Sequence, residues 1–146
     1  MQPIDLLRIS PKPSQLINRD KTVCFTYNGK TIVAFQGDTV GSALHASGVT
    51  IFTRSFKYHR PRGLLCMSGR CANCLVSVDG VPNVRACTEV VREDMVVNSQ
   101  NAWPSVDDDL LSILDRFDWA MPVAFYYKAF HQPKNLWKLV QPFIRR

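Results

Sequence analysis

A chain of 146 residues with 46% hydrophobic and 21% charged side chains is the size of one domain and can bury its own core. No uninterrupted apolar run approaches the ~20 residues of a membrane-spanning helix, and Met1-Gln2-Pro3-Ile4-Asp5 lacks the basic-then-apolar order of a secretory leader, so a cytoplasmic protein without a transmembrane segment is expected. The formal net charge of +6 comes from basic residues spread along the chain without a nucleic-acid-binding fingerprint; an acidic docking partner or a plain solvated surface explains it, and nucleic acid is not expected as a partner.

Residues 1–20 are rich in proline and polar side chains and read as an arm without regular structure. From Thr22 the pattern changes. Val23-Cys24-Phe25-Thr26-Tyr27 and Thr31-Ile32-Val33-Ala34-Phe35 are β-branched and aromatic runs joined by Asn28-Gly29, a two-residue hairpin signal. Gly37-Asp38-Thr39 supplies a helix N-cap, and Val40, Ala43, Leu44 and Ser47 form an apolar or small stripe at helical spacing that Gly48 terminates. Residues 53–63 are a basic, turn-rich connection carrying Arg54, Lys57, Arg60 and Arg62. Cys74-Leu75-Val76-Ser77-Val78 alternates like a strand and stops at the turn pair Asp79-Gly80; Val84-Arg85-Ala86 and Met95-Val96-Val97 each add a short strand. The expected core, residues 21–100, is an α+β unit: a mixed sheet on one helix, with a long loop crossing its end.

Residues 101–146 form a C-terminal extension. Asp107 to Phe117 reads as a helix with Val106, Leu110, Ile113 and Leu114 on one face and three aspartates at its N-terminus. Prolines interrupt the stretch beyond it, and the extension's aromatic residues Trp103, Trp119, Phe125, Tyr126, Tyr127 and Trp137 are expected mostly to cover the domain. The extension as a whole packs on the domain or on a partner.

Five cysteines are an odd count, and four of them cluster at Cys66, Cys71, Cys74 and Cys87; without a leader this argues against a disulfide framework and for a metal site. The first three follow the plant-type [2Fe–2S] spacing C-x4-C-x2-C, with the fourth further along. Two bridged tetrahedral irons each need two thiolates, which a wrapping loop and one distant cysteine can supply. Gly69 lies inside the loop, where backbone amides must approach cluster sulfurs closely. Arg70 is the candidate for raising the reduction potential through its charge, and Cys24, in the hairpin, reads as a buried apolar residue. A four-cysteine zinc site is the rival, although it ordinarily pairs two short knuckles and Cys87 stands alone.

The stretches Gly37-Asp38-Thr39, Ser55-Phe56-Lys57-Tyr58-His59-Arg60-Pro61-Arg62-Gly63 and Asn83-Val84-Arg85-Ala86-Cys87 resemble the N-terminal [2Fe–2S]-type domain of the sarcosine oxidase alpha-subunit family. Hydrogen cyanide synthase and dye-linked proline and opine dehydrogenases are relatives in that family. The tail from Gln100 to Ser105 and Phe125 to Lys128 resembles the segment that follows the domain. With all four cysteines present, the chain resembles the cluster-bearing branch. The resemblance implies a β-grasp, plant-type ferredoxin-like fold. By the same analogy Cys66 and Cys71 hold the iron nearer the surface, and Cys74 and Cys87 the inner one.

The family's alpha subunit continues into a Gly-rich dinucleotide-binding domain, whereas no G-x-G-x-x-G occurs here. The expectation is a separate subunit with natural ends, with FAD on a partner flavoprotein subunit of a hetero-oligomeric dehydrogenase. The chain would then relay single electrons and would not be catalytic alone. The substrate class implied is sarcosine, proline or hydroxyproline, an opine, or glycine. A diffusible ferredoxin and a zinc-stabilised interaction module are the alternatives.

Overall fold

The structure, a computed structural model, describes residues 7–120; the tail aromatics Phe125, Tyr126, Tyr127 and Trp137 lie outside the described residues. From Leu7 the described residues run without helix or strand into β1 (Asn18–Tyr27), which turns at Asn28-Gly29 into β2 (Lys30–Gln36). Asn28 and Gly29 both have positive φ, 47° and 77°, the backbone of the turn that matches strand twist, and Tyr27 pairs with Lys30 across it. β1 starts at Asn18, before the β-branched run, because Asn18 still pairs with Gln36 across a bulge that ends at Thr22.

Helix α1 (Val40–Ala46) follows at once. Thr39 is its N-cap: Thr39 Oγ1 accepts from the Ser42 amide at 3.1 Å, and Ser42 Oγ accepts from the Thr39 amide at 3.0 Å, a reciprocal capping box. Gly48, at φ 87°, lies just past the helix. Beneath the cap lies the fully buried carboxylate of Asp38, which accepts from the Phe35 amide and the Ser42 hydroxyl, each at 2.9 Å. Arg8 neutralises it with two hydrogen bonds, at 3.1 and 2.5 Å, while its guanidinium lies over the Phe35 ring. Residues 7–17 of the expected arm hold no helix or strand, whereas Asn18, Arg19 and Asp20 belong to β1; Arg8 fastens this stretch to the helix start, since a buried carboxylate needs a partner.

The main sheet has the order β2-β1-β7-β5-β6, with β5 (Leu75–Val78), β6 (Val81–Arg85) and β7 (Val96–Asn98). β1 and β7 are parallel, and the other pairs are antiparallel. The described residues thus form a mixed-sheet α+β unit, as expected. One face of the sheet, with Phe25, Ile32, Ala34, Val76 and Val97, packs with Val40, Ala43 and Leu44 of α1 and with Phe52 into the core, each large side chain contributing about 1.5–3 kcal/mol of burial.

Two expectations change. The basic connection holds a small ribbon, β3 (Thr53–Arg54) against β4 (Pro61–Arg62), and Arg54 is buried within it. Its guanidinium donates to the carbonyls of Val106 (2.8 Å), His59 (2.9 Å) and Asp107 (3.3 Å) and lies 3.7 Å from the Asp109 carboxylate. His59 Nδ1 is 2.8 Å from the same carboxylate. The helix expected from Asp107 to Phe117 is instead a 3-10 helix, Leu110–Ala120, broken at Phe117. Val106 is buried as expected, but Leu110 and Ile113 are more than half exposed. Three residues per turn align Leu110 and Ile113 on one edge, and Asp109, turned inward to Arg54 and His59, fixes that edge outward. Trp103 and Trp119 are exposed as well, so neither covers the core. No helix among the described residues is long and apolar enough to cross a membrane.

Candidate iron–sulfur centre

All five cysteines are unbridged thiols. Residues 63–74 form an irregular loop that leaves β4 and feeds β5. It starts at Gly63, where a Cβ would collide with the Thr50 carbonyl, and reverses through Met67 (φ 51°) and Gly69 (φ 72°). This curvature turns amides inward. The Cys71 amide donates to Cys66 Sγ at 3.4 Å, and the Cys66 thiol is pushed down to about 6, first by the Ser68 amide, then by the Cys71 thiol and the amides of Cys71 and Arg70. Glycine suits position 69 because of its positive φ and because a Cβ there would lie 2.9 Å from the Thr88 methyl.

The distant cysteine is brought in by a hairpin. β5 turns through Asp79-Gly80, both at positive φ, into β6, with Leu75 opposite Arg85. The Ala86 amide then donates to the Cys74 carbonyl at 2.9 Å, so Cys87 arrives beside Cys74. Both are buried, whereas Cys66 and Cys71 are half-buried. Burial pushes the Cys74 thiol up, opposed by the Cys87 amide and reinforced by the Cys87 thiol and by the charge of Cys71.

The helix start holds the Cys87 segment from the other side. The amides of Val40 and Gly41 donate to the carbonyls of Glu89 (2.8 Å) and Ala86 (2.7 Å), and the Val91 amide donates to the Asp38 carbonyl at 3.0 Å. Gly41 is needed for this approach: a Cβ there would lie 2.9 Å from a Leu64 methyl and 3.1 Å from the Ala86 carbonyl.

The hydrogen bonds thus place Cys66 with Cys71 on the loop and Cys87 beside Cys74 at the hairpin. No three His, Cys, Asp or Glu side chains among the described residues converge as a one-ion site would require. Two adjacent thiol pairs, ringed by loop amides, fit a two-iron cluster in donor chemistry and in number.

Of the remaining residues singled out in the sequence, Arg70 contributes its amide to Cys66, while its side chain is exposed. Arg62, read from the sequence as part of the basic connection, and Arg85, assigned no role of its own from the sequence, both reach the loop backbone. Arg85 donates to the Cys71 carbonyl at 3.3 Å, and Arg62 reaches the Ala72 carbonyl at 3.5 Å, so both brace the loop. Only the folded hairpin and ribbon bring them there. Cys24 is half-buried rather than buried: it alternates with the inward Phe25, and its amide donates to Glu93 at 3.1 Å, away from the loop thiols. A cleft of about 610 Å³ beside the loop is lined by Arg54, Phe56, Arg62, Ala72, Asn83 and Gln100 among others. Among the described residues, none that lines it carries a carboxylate, thiol or imidazole.

Residues 20–102 match the family described as "2Fe-2S iron-sulfur cluster binding domain". The chain is 40% identical over 136 residues to the sarcosine oxidase subunit alpha of Rhizobium meliloti, covering 90% of this chain and 14% of that subunit. It is 38% identical over 74 residues to the hydrogen cyanide synthase subunit HcnA of Pseudomonas aeruginosa, covering 51% of this chain and 70% of HcnA. Among solved structures, L-proline dehydrogenase from P. horikoshii is similar with a TM-score of 0.53 at 25% identity, over 72% of this chain and 19% of that one. The chain thus spans a small part of the sarcosine oxidase and proline dehydrogenase chains, but most of HcnA. The paired thiols and these matches lead to one conclusion: the chain belongs to the 2Fe-2S iron-sulfur cluster binding domain family.

Proposed function

We propose that the chain is the electron-transfer component of a flavin-dependent amine or amino-acid dehydrogenase or oxidase, with Cys66, Cys71, Cys74 and Cys87 as the cluster ligands and FAD on a partner subunit. The pairing of the four thiols carries this reading. When bound, the cluster supplies a one-electron redox centre. The chain's own part is to hold and tune it: Cys66 and Cys71 take the outer iron, and the buried Cys74 and Cys87 the inner one. The amides of Ser68, Arg70 and Cys71 stabilise thiolate charge, and Gly69 lets that backbone close in. The sheet order, with α1 packed on it, supports a β-grasp, plant-type ferredoxin-like fold; within it we assign an arm to 1–20, the cluster domain to 21–100 and an extension to 101–146. The names of two relatives, a sarcosine oxidase subunit and L-proline dehydrogenase, support a substrate in the sarcosine or proline class, with an opine or glycine left from the sequence resemblance.

The test is to purify the chain at native expression level. A red-brown protein that bleaches with dithionite, carries about two irons and two sulfides per chain and brings a flavoprotein with it supports the proposal. A colourless protein with one zinc per chain overturns it, and a coloured solitary monomer points to a diffusible carrier. Cys74→Ser abolishes or severely weakens cluster binding, whereas Cys24→Ser retains it; equal loss in both would place the fifth cysteine in the site.

A further inference from the structure

Between Asp38 and Asp79 the chain contains no carboxylate, while it carries Arg54, Lys57, Arg60, Arg62 and Arg70. The fold meets part of this excess internally. Arg54 is enclosed by the carbonyls of Val106 and Asp107 and by the Asp109 carboxylate, and Arg60 pairs with Asp115 at 2.6 Å and Asp118 at 3.5 Å. An acidic segment of this chain has thus settled on one part of the basic edge. At the cysteine loop nothing equivalent happens: Arg62 and Arg85 touch only loop carbonyls, Arg70 is exposed, and none of the three pairs with a carboxylate of the described residues.

The same loop turns two apolar side chains outward. Leu65 is 70% and Met67 61% exposed, on either side of Cys66, and Met67 is held there at a left-handed φ of 51°. A non-glycine residue in that region is uncommon. Neutralising the thiolates would account for the arginines, but not for large apolar side chains presented to water on a constrained turn.

We propose that Leu65 and Met67, ringed by Arg62, Arg70 and Arg85, form a docking face for a protein partner whose contact surface is an apolar centre bordered by carboxylates, and that electrons cross there at the half-buried Cys66 and Cys71. This rests on the electron-transfer reading above and adds the chemistry of the partner's surface. An apolar centre with a charged rim is the usual anatomy of a protein interface, and the rim's charge acts chiefly on the encounter rate.

The test uses the full, cluster-loaded chain and two protein probes of opposite charge. Reduced flavodoxin, an acidic flavoprotein, gives one electron to the oxidised chain; ferric cytochrome c, a basic protein, takes one from the reduced chain. The second-order rate with flavodoxin should fall roughly tenfold between low and physiological salt. At low salt it should fall to a similar extent in Arg70→Glu, and severalfold in the uncharged Met67→Gln, with visible spectrum and midpoint potential retained in the latter. Arg70→Gln removes the charge without placing an anion beside the thiolates, and should give a smaller rate loss and a flatter salt dependence. Cytochrome c should show no such fall with salt and should react faster with Arg70→Glu. A flavodoxin rate indifferent to salt and to both Arg70 variants, or a rate loss fully matched by a shift in potential, overturns the docking face. Displacement of flavodoxin by a DNA duplex also overturns it and reassigns the face to nucleic acid. A chain without visible absorption, or without exchange with either probe, overturns instead the electron-transfer reading on which it rests.

Discussion

Cys66 and Cys74 are separated by eight positions, yet their thiols experience opposite environments. Inward amides favour the thiolate at Cys66, and burial disfavours it at Cys74. Both follow from position: Cys66 lies on an irregular loop with unpaired amides, whereas Cys74 immediately precedes β5 and backs onto the core. Tyr27 shows the same control on the core's far edge. Burial, with the Asp107 carboxylate adding to it, pushes its phenol up to about 12. A raised phenol pKa means that folding favours the neutral form, so the contribution is complete below the unfolded value of about 10 and is lost as pH rises towards the folded one. Stability should therefore fall by on the order of 2 kcal/mol between about pH 10 and 12. Tyr27→Phe should flatten that part of the pH profile in urea unfolding, and an unchanged slope would show that Tyr27 is not its source.

Among the elements, those that depend on neighbouring residues were legible in the sequence. Asn28-Gly29 and Asp79-Gly80 turn where their tolerance of positive φ allows, and α1 begins at its capping threonine and ends before Gly48. The elements that depend on distant partners were not legible. β3 and β4 have two residues each and exist because the ribbon closes around Arg54, and an arginine's type normally signals solvent. The insertion of β7 between β1 and β5 rests on a strand of three residues. The four cysteines were legible from spacing, but the bracing by Arg62 and Arg85, and the clasp of α1 on the Cys87 segment, needed the assembled sheet. That clasp gives a prediction whose sign opposes helix propensity. Gly41→Ala in an isolated helix would be favourable by up to about 1 kcal/mol, but here the methyl meets Leu64 and the Ala86 carbonyl. It should destabilise the protein by about 1–3 kcal/mol and weaken cluster retention, read by thermal unfolding and by the visible band after gel filtration.

Across the molecule, the Asp109 carboxylate helps join the ribbon that precedes the cluster loop to the segment after residue 101. Asp109 receives His59, lies 3.7 Å from Arg54, and accepts the amides of Trp103 and Leu111. Asp109→Ala should leave Arg54 without its counter-charge and the His59 ring without its hydrogen-bond partner, and cost about 3–5 kcal/mol in denaturant unfolding. Faster proteolysis within residues 105–120 should accompany it, whereas the same change at the exposed Asp108 should do neither. The hairpin that delivers Cys87 also acts as a ruler whose smallest division is two residues. The β5–β6 ladder already absorbs one irregular step between Val76 and Val78. Two residues added at Asp79-Gly80 lengthen both arms equally and keep Cys87 beside Cys74. One added residue slides the register and turns the Cys87 side chain to the opposite face of the sheet. In this chain, the interval between Cys74 and Cys87 is therefore constrained by the pairing of β5 with β6.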